Sequence, residues 1–108
     1  MKSNQLEHMI RKMVMRIVER FDPERIILFG STARGEASPD SDVDLLVVMR
    51  VNGSRREMAI EIGVEVNDIP IPKDIFVATP EDFERRKEIV GTLERPAARE
   101  GRLVYARR

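Results

Sequence analysis

Two apolar runs joined by a Gly/Ser/Pro-rich connection constrain this chain most. RIILF, at residues 25–29, reads as a short buried strand. GSTARGEASPDS follows it, and SDVDLLVVM then begins polar and continues apolar as a second strand. Strands with apolar residues at consecutive positions are buried on both faces, and such strands need helices to cover them. The rest of the chain provides those helices. Leu6, Met9, Ile10, Met13, Val14, Ile17 and Phe21 recur at helical spacing, which predicts an amphipathic helix with one buried stripe. Asn4 with Glu7 suits its N-terminal cap, and Asp22-Pro23 stops it.

Beyond the second strand, Asn52-Gly53 breaks the chain, and Ser54-Arg55-Arg56-Glu57 is a capping box for a helix to about Val66. NDIPIP reads as irregular, and KDIFVA at residues 73–78 as a third strand. Thr79-Pro80-Glu81-Asp82 starts a helix that should end near Gly91. A last short helix is expected from about Leu93 to Glu100, and RLVYA after Gly101 reads as an edge strand. The expected class is therefore α/β (α+β). Residues 1–108 would form a single small domain, a mixed sheet of about four strands flanked by helices.

Composition narrows the chemistry. The 108 residues include no Cys and one His, which excludes disulfides, thiolate zinc sites and histidine-rich metal sites. Lys and Arg number 19, as do Asp and Glu, a balance that argues against a dedicated nucleic-acid-binding module. The N-terminus lacks a signal-peptide apolar run, and no stretch approaches the roughly 20 apolar residues of a membrane span. A cytoplasmic protein with no membrane partner is expected.

The charged residues that draw attention are Asp42 and Asp44. Alternate residues of a strand project from one face, so two carboxylates stand side by side at the start of the second strand. Two such anions repel, and a divalent cation with hard oxygen ligands relieves the repulsion. Asp74 opens the third strand. Were the two strands neighbours, it would complete a three-carboxylate cluster able to hold two cations around a phosphoryl displacement. An isolated Asp at a strand end is more often a cap or a solvated turn residue. The pair is harder to dismiss, because Val43 and LLVVM place it on a buried strand. Gly30-Ser31 directly follows the first strand. There a glycine permits close phosphate approach, while the hydroxyl and the N–H groups of an opening helical turn donate to an anion. A tight turn is the commoner use of Gly-Ser taken alone.

Two rival motifs fail on spacing. Gly30-x-x-x-x-Gly35 begins like a P-loop, but Glu36 and Ala37 stand where Lys and Ser/Thr are required. Asp40-x-Asp42-x-Asp44 begins like a calcium loop, but Leu45 replaces its glycine and Val51 its final Glu.

Taken together, GSTARGEASPDSDVDLL at residues 30–46 resembles the GS…SDxDL signature of minimal nucleotidyltransferases in the DNA polymerase β-like superfamily. KDIFV with TPED looks like that family's third-carboxylate strand and the helix after it, and GTLERPAAREGRLVY is also similar. The resemblance runs along nearly the whole chain. It implies the small nucleotidyltransferase fold. It implies that Gly30 and Ser31 bind a nucleoside triphosphate, with ATP and magnesium, two ions, as substrate and cofactor. Asp42 and Asp44 would be metal ligands. Asp74 would be the third carboxylate of the metal and catalytic set, helping to activate the attacking hydroxyl. Ser41 would orient the carboxylate strand, and Arg34 would contact phosphate.

Proteins of this kind are often paired with a helical HEPN-type ribonuclease toxin, which some neutralise by transferring AMP to a Tyr. The resemblance thus implies a protein adenylyltransferase acting as antitoxin. Two alternatives stay open: a non-catalytic antitoxin that neutralises by binding, and a free-standing nucleotidyltransferase acting on a small molecule or nucleic acid. Self-association is a further expectation, through apolar positions around Val51, Ile69 and Ile71. The base, the acceptor and the oligomeric state are not legible in the sequence.

Overall fold

The computed structural model describes residues 3–35 and 42–108. The chain runs α1 (Ser3–Phe21), β1 (Arg25–Phe29), β2 (Val43–Val48), α2 (Arg55–Glu65), β3 (Lys73–Ala78), α3 (Pro80–Arg86), α4 (Glu94–Glu100) and β4 (Arg102–Ala106). The element order is the predicted one. The strands form a mixed sheet in the order β3-β2-β1-β4. β2 pairs antiparallel with β1 and parallel with β3, and β4 pairs antiparallel with β1 at the opposite edge.

The two central strands are buried on both faces, as their consecutive apolar residues require. Val43, Leu45 and Val47 of β2 pack with Ile10, Met13, Val14 and Ile17 of α1 and with Ile62 of α2. Leu46 and Val48 point the other way, onto Ile27, Phe29, Ala78, Phe83 of α3 and Ala97 of α4. Side-chain alternation therefore divides the core between two helical layers. Burying each such aliphatic side chain contributes about 1.5–3 kcal/mol.

Local signals set most boundaries. Ser54 Oγ accepts the Glu57 N–H at 3.2 Å and opens α2. Thr79 Oγ1 accepts the Asp82 N–H at 3.1 Å, with Pro80 in the first turn of α3. Three readings need correction. α1 has already begun at Ser3, so Asn4 lies inside the helix rather than capping it. α3 stops at Arg86, short of Gly91, because Ile89 and Val90 face solvent and nothing buried draws the helix on. Instead the Ile89 N–H turns back to the Arg86 carbonyl at 2.9 Å. Ile69 and Ile71 are buried, and Val51 packs partly against the same core, so the surface expected to drive self-association does not exist. The connection after α2 turns its isoleucines inward: Lys73 Nζ donates to the carbonyls of Val66 at 3.0 Å and Ile69 at 2.8 Å and clamps the segment to β3.

Candidate functional site

β1 and β2 run antiparallel with Phe29 opposite Asp44. β2 and β3 run parallel with Asp44 opposite Asp74. The strands are thus neighbours, and the register aligns the two carboxylates across the ladder. Both lie on the face that carries Leu46, Phe76 and Ala78 further along. Phe29 and Phe76 meet there, their ring centroids 5.7 Å apart. Neither ring was singled out in the sequence, yet Phe76 shares a face with Asp74 by simple alternation.

Gly30 leaves β1 at φ 79°, a conformation that disfavours a side chain. A Cβ at this position would overlap Asp44 Oδ2. The backbone of residue 30 and the Asp44 carboxylate are therefore packed against each other with no room for a methyl group. Residues 31–35 then make one turn, closed by the Arg34 N–H on the Gly30 carbonyl and the Gly35 N–H on the Thr32 carbonyl, each at 3.3 Å. Residues 31–35 are turn rather than helix. The backbone N–H groups of Ser31, Thr32 and Ala33 donate to no described residue. Thr32 Oγ1 donates to the Asp42 carbonyl at 3.3 Å, which ties this turn to the residue preceding β2. Arg34 is held by Glu100 at 3.4 Å, so contact with a phosphate would require it to leave that carboxylate. Ser41 lies outside the described residues.

The electrostatics match the crowding. Desolvation raises the Asp44 pKa, and the charges of Asp74 and then Asp42 raise it further. Asp74 is also raised, first by desolvation, then by a side-chain hydrogen bond with Asp42 and by that residue's charge. A hydrogen bond between two carboxyl groups needs a proton on one of them. Full charge is thus disfavoured on both Asp44 and Asp74. No group of three or more Asp, Glu or His side chains among the described residues stands ready in ligating geometry. Carboxylate oxygens such as those of Asp44 and Asp74 are the hard donors that a divalent cation takes. The chemistry of these oxygens suits such an ion, although no ligating geometry is preformed among the described residues. No helix among the described residues is long and apolar enough to cross a membrane.

The nucleotidyltransferase domain family matches residues 10–103. A Methanocaldococcus jannaschii protein, provisionally named a protein adenylyltransferase, is 31% identical over 87 residues, covering 76% of this chain and 78% of its own length. Two solved structures share the fold. One is a provisionally assigned nucleotidyltransferase from Sulfolobus solfataricus, with TM-score 0.58, 21% identity, and coverage of 93% of this chain and 79% of that one. The other is a toxin–antitoxin structure with AMP-PNP, with TM-score 0.55, 15% identity, and coverage of 91% and 74%. An aligned pair of carboxylates, a glycine pressed against one of them and a family match along most of the chain lead to one conclusion: this protein belongs to the nucleotidyltransferase domain family.

Proposed function

We propose that this chain transfers AMP from ATP to a hydroxyl group of a partner protein. The observation that carries the reading is the register of Asp44 against Asp74 with Gly30 packed on Asp44. Asp42, Asp44 and Asp74 would hold magnesium, two ions in the full site. Bound there, the metal would neutralise phosphate oxygens and the charge that develops on them. Gly30 allows the triphosphate to approach the backbone. The Ser31 hydroxyl and the N–H groups of residues 31–33 donate to phosphate oxygens. The acceptor oxygen attacks the α-phosphorus, a new P–O bond forms, and the bond to the β-phosphate oxygen breaks, releasing pyrophosphate. The acceptor proton passes to Asp74, the carboxylate that the register sets opposite Asp44. Ser41 would orient the carboxylate strand, and Arg34 would swing from Glu100 to phosphate.

The name of the M. jannaschii relative supports a protein acceptor. A HEPN-type helical toxin fits that role, which would make this chain its antitoxin. The test mixes the chain with ATP labelled at the α-phosphate, magnesium and the protein encoded beside it. Label should appear on the partner and vanish with Asp42→Ala/Asp44→Ala, whose circular dichroism should match the parent. No label on an intact partner sinks the reading. A double variant that still neutralises the partner fully makes binding, not transfer, the mechanism.

A further inference from the structure

β3 is the outermost strand of the sheet on its side. Its backbone polarity can be assigned residue by residue. The Val43 N–H donates to the Pro72 carbonyl at 2.9 Å, and the Met49 N–H to the Ala78 carbonyl at 3.0 Å. In a parallel ladder these bonds recur on alternate residues. The N–H and C=O groups of Asp74, Phe76 and Ala78 therefore face β2, and those of Ile75 and Val77 face outward. No described strand pairs with this edge.

Edge strands are usually guarded by a charge, a proline or a bulge. β3 has neither proline nor bulge. Its one lysine, Lys73, is tied at its Nζ to the Val66 and Ile69 carbonyls and stands at the start of the strand, away from Val77. A cleft of 660 Å³ runs along this edge, between Arg56 and Ala59 of α2 and the Thr92–Glu94 segment, with Ile75 and Val77 on its floor. A second cleft of 420 Å³ shares Arg56, Ala59 and Ile75 with it and ends on Asp74. Ile60 of α2, which lines the second cleft, is 58% exposed. Arg56 and Arg86 line the first cleft and make no ion pair with any described residue.

We propose that the partner's acceptor segment docks as an extended, acidic strand on the free edge of β3, which delivers its hydroxyl residue to Asp74. This deepens the adenylyl-transfer reading and rests on it. The N–H and C=O groups of Ile75 and Val77 supply the strand hydrogen bonds, the mode by which peptides extend an exposed sheet edge. Arg56 and Arg86 select acidic side chains. A second copy of this chain is the poorer occupant, because a two-fold interface sets a patch against itself and would oppose arginine to arginine.

The test uses the whole chain as bait for randomised ten-residue peptides with a central Tyr. Bound peptides should be enriched in Asp and Glu. Val77→Pro removes an outward N–H and leaves the ladder to β2 complete, so it should weaken peptide binding at least about tenfold with Mg·ATP binding unchanged. Arg56→Glu/Arg86→Glu, a surface change, should do the same and stands in if the proline variant fails to fold. Peptides without acidic enrichment, no selected peptides, or equal binding to the variants overturns the proposal. So does a dimer that Val77→Pro converts to monomer without any peptide being selected. Labelled AMP separates the two readings. Strand-dependent binding without transfer to peptide or partner sinks the transfer reading alone, and transfer that Val77→Pro leaves untouched sinks the docking alone.

Discussion

Gly30→Ala probes the contact on which the site is built. Residue 30 sits at φ 79°, and an alanine held there costs roughly 1–2 kcal/mol relative to glycine. The new methyl group would also overlap Asp44 Oδ2, so the carboxylate must retreat by on the order of 1 Å to regain van der Waals distance. A displacement of that size in a positioned reacting group costs about 100-fold in rate. The variant should therefore unfold in urea with a loss of roughly 1–2 kcal/mol from backbone strain, yet bind Mg·ATP far more weakly than that loss explains. Isothermal titration of Mg·ATP reads the second effect without needing an acceptor. Asp44→Ala removes the atom that is struck, so a double-mutant cycle isolates the overlap. Gly30→Ala/Asp44→Ala should be more stable than the two single changes sum to, with a coupling of about 0.5–3 kcal/mol. Strictly additive stabilities, or undiminished Mg·ATP binding by Gly30→Ala, would refute the claim that Gly30 is kept bare for Asp44.

Asp44→Asn should raise the Tm of the metal-free chain at neutral pH, because it removes a carboxylate raised by desolvation and by Asp74, while AMP transfer falls by roughly 100-fold or more; a lower Tm would contradict the crowding. Gly101→Ala should cost about 1–3 kcal/mol in urea unfolding, since its methyl would strike the Ala97 carbonyl and Ile27 Cγ2, and a neutral result would show that α4 can shift freely. Asp68 is held below its ordinary pKa by the Arg16 hydrogen bond. Its contribution is present above the unfolded value of 3.8 and is lost as pH falls through the lower folded value, so the stability gap between parent and Asp68→Asn should close on acidification through that window, and a gap that widens would reverse the sign.

Local chemistry in the sequence determined the elements. Consecutive apolar residues in RIILF and LLVV made both faces of β1 and β2 buried, and Ser54 and Thr79 placed two helix starts within a residue. Strand alternation likewise set the expectation that Asp42 and Asp44 share a face, but β2 begins at Val43, with Asp42 just before it. Such signals are short-ranged, and they failed where burial decides. Ile69 and Ile71 look like surface residues of an irregular segment until Lys73 draws that segment onto β3. Ile89 and Val90 look helical until they are seen to be exposed. Asp74 shows the boundary most clearly. Its place near the start of a strand, after Lys73, was legible, but its value depended on β3 pairing in parallel with β2 in the register that sets it opposite Asp44. Pairing and register join residues thirty positions apart, so no local pattern carries them. The free edge of β3 is the same kind of fact: only the strand order leaves Ile75 and Val77 facing outward.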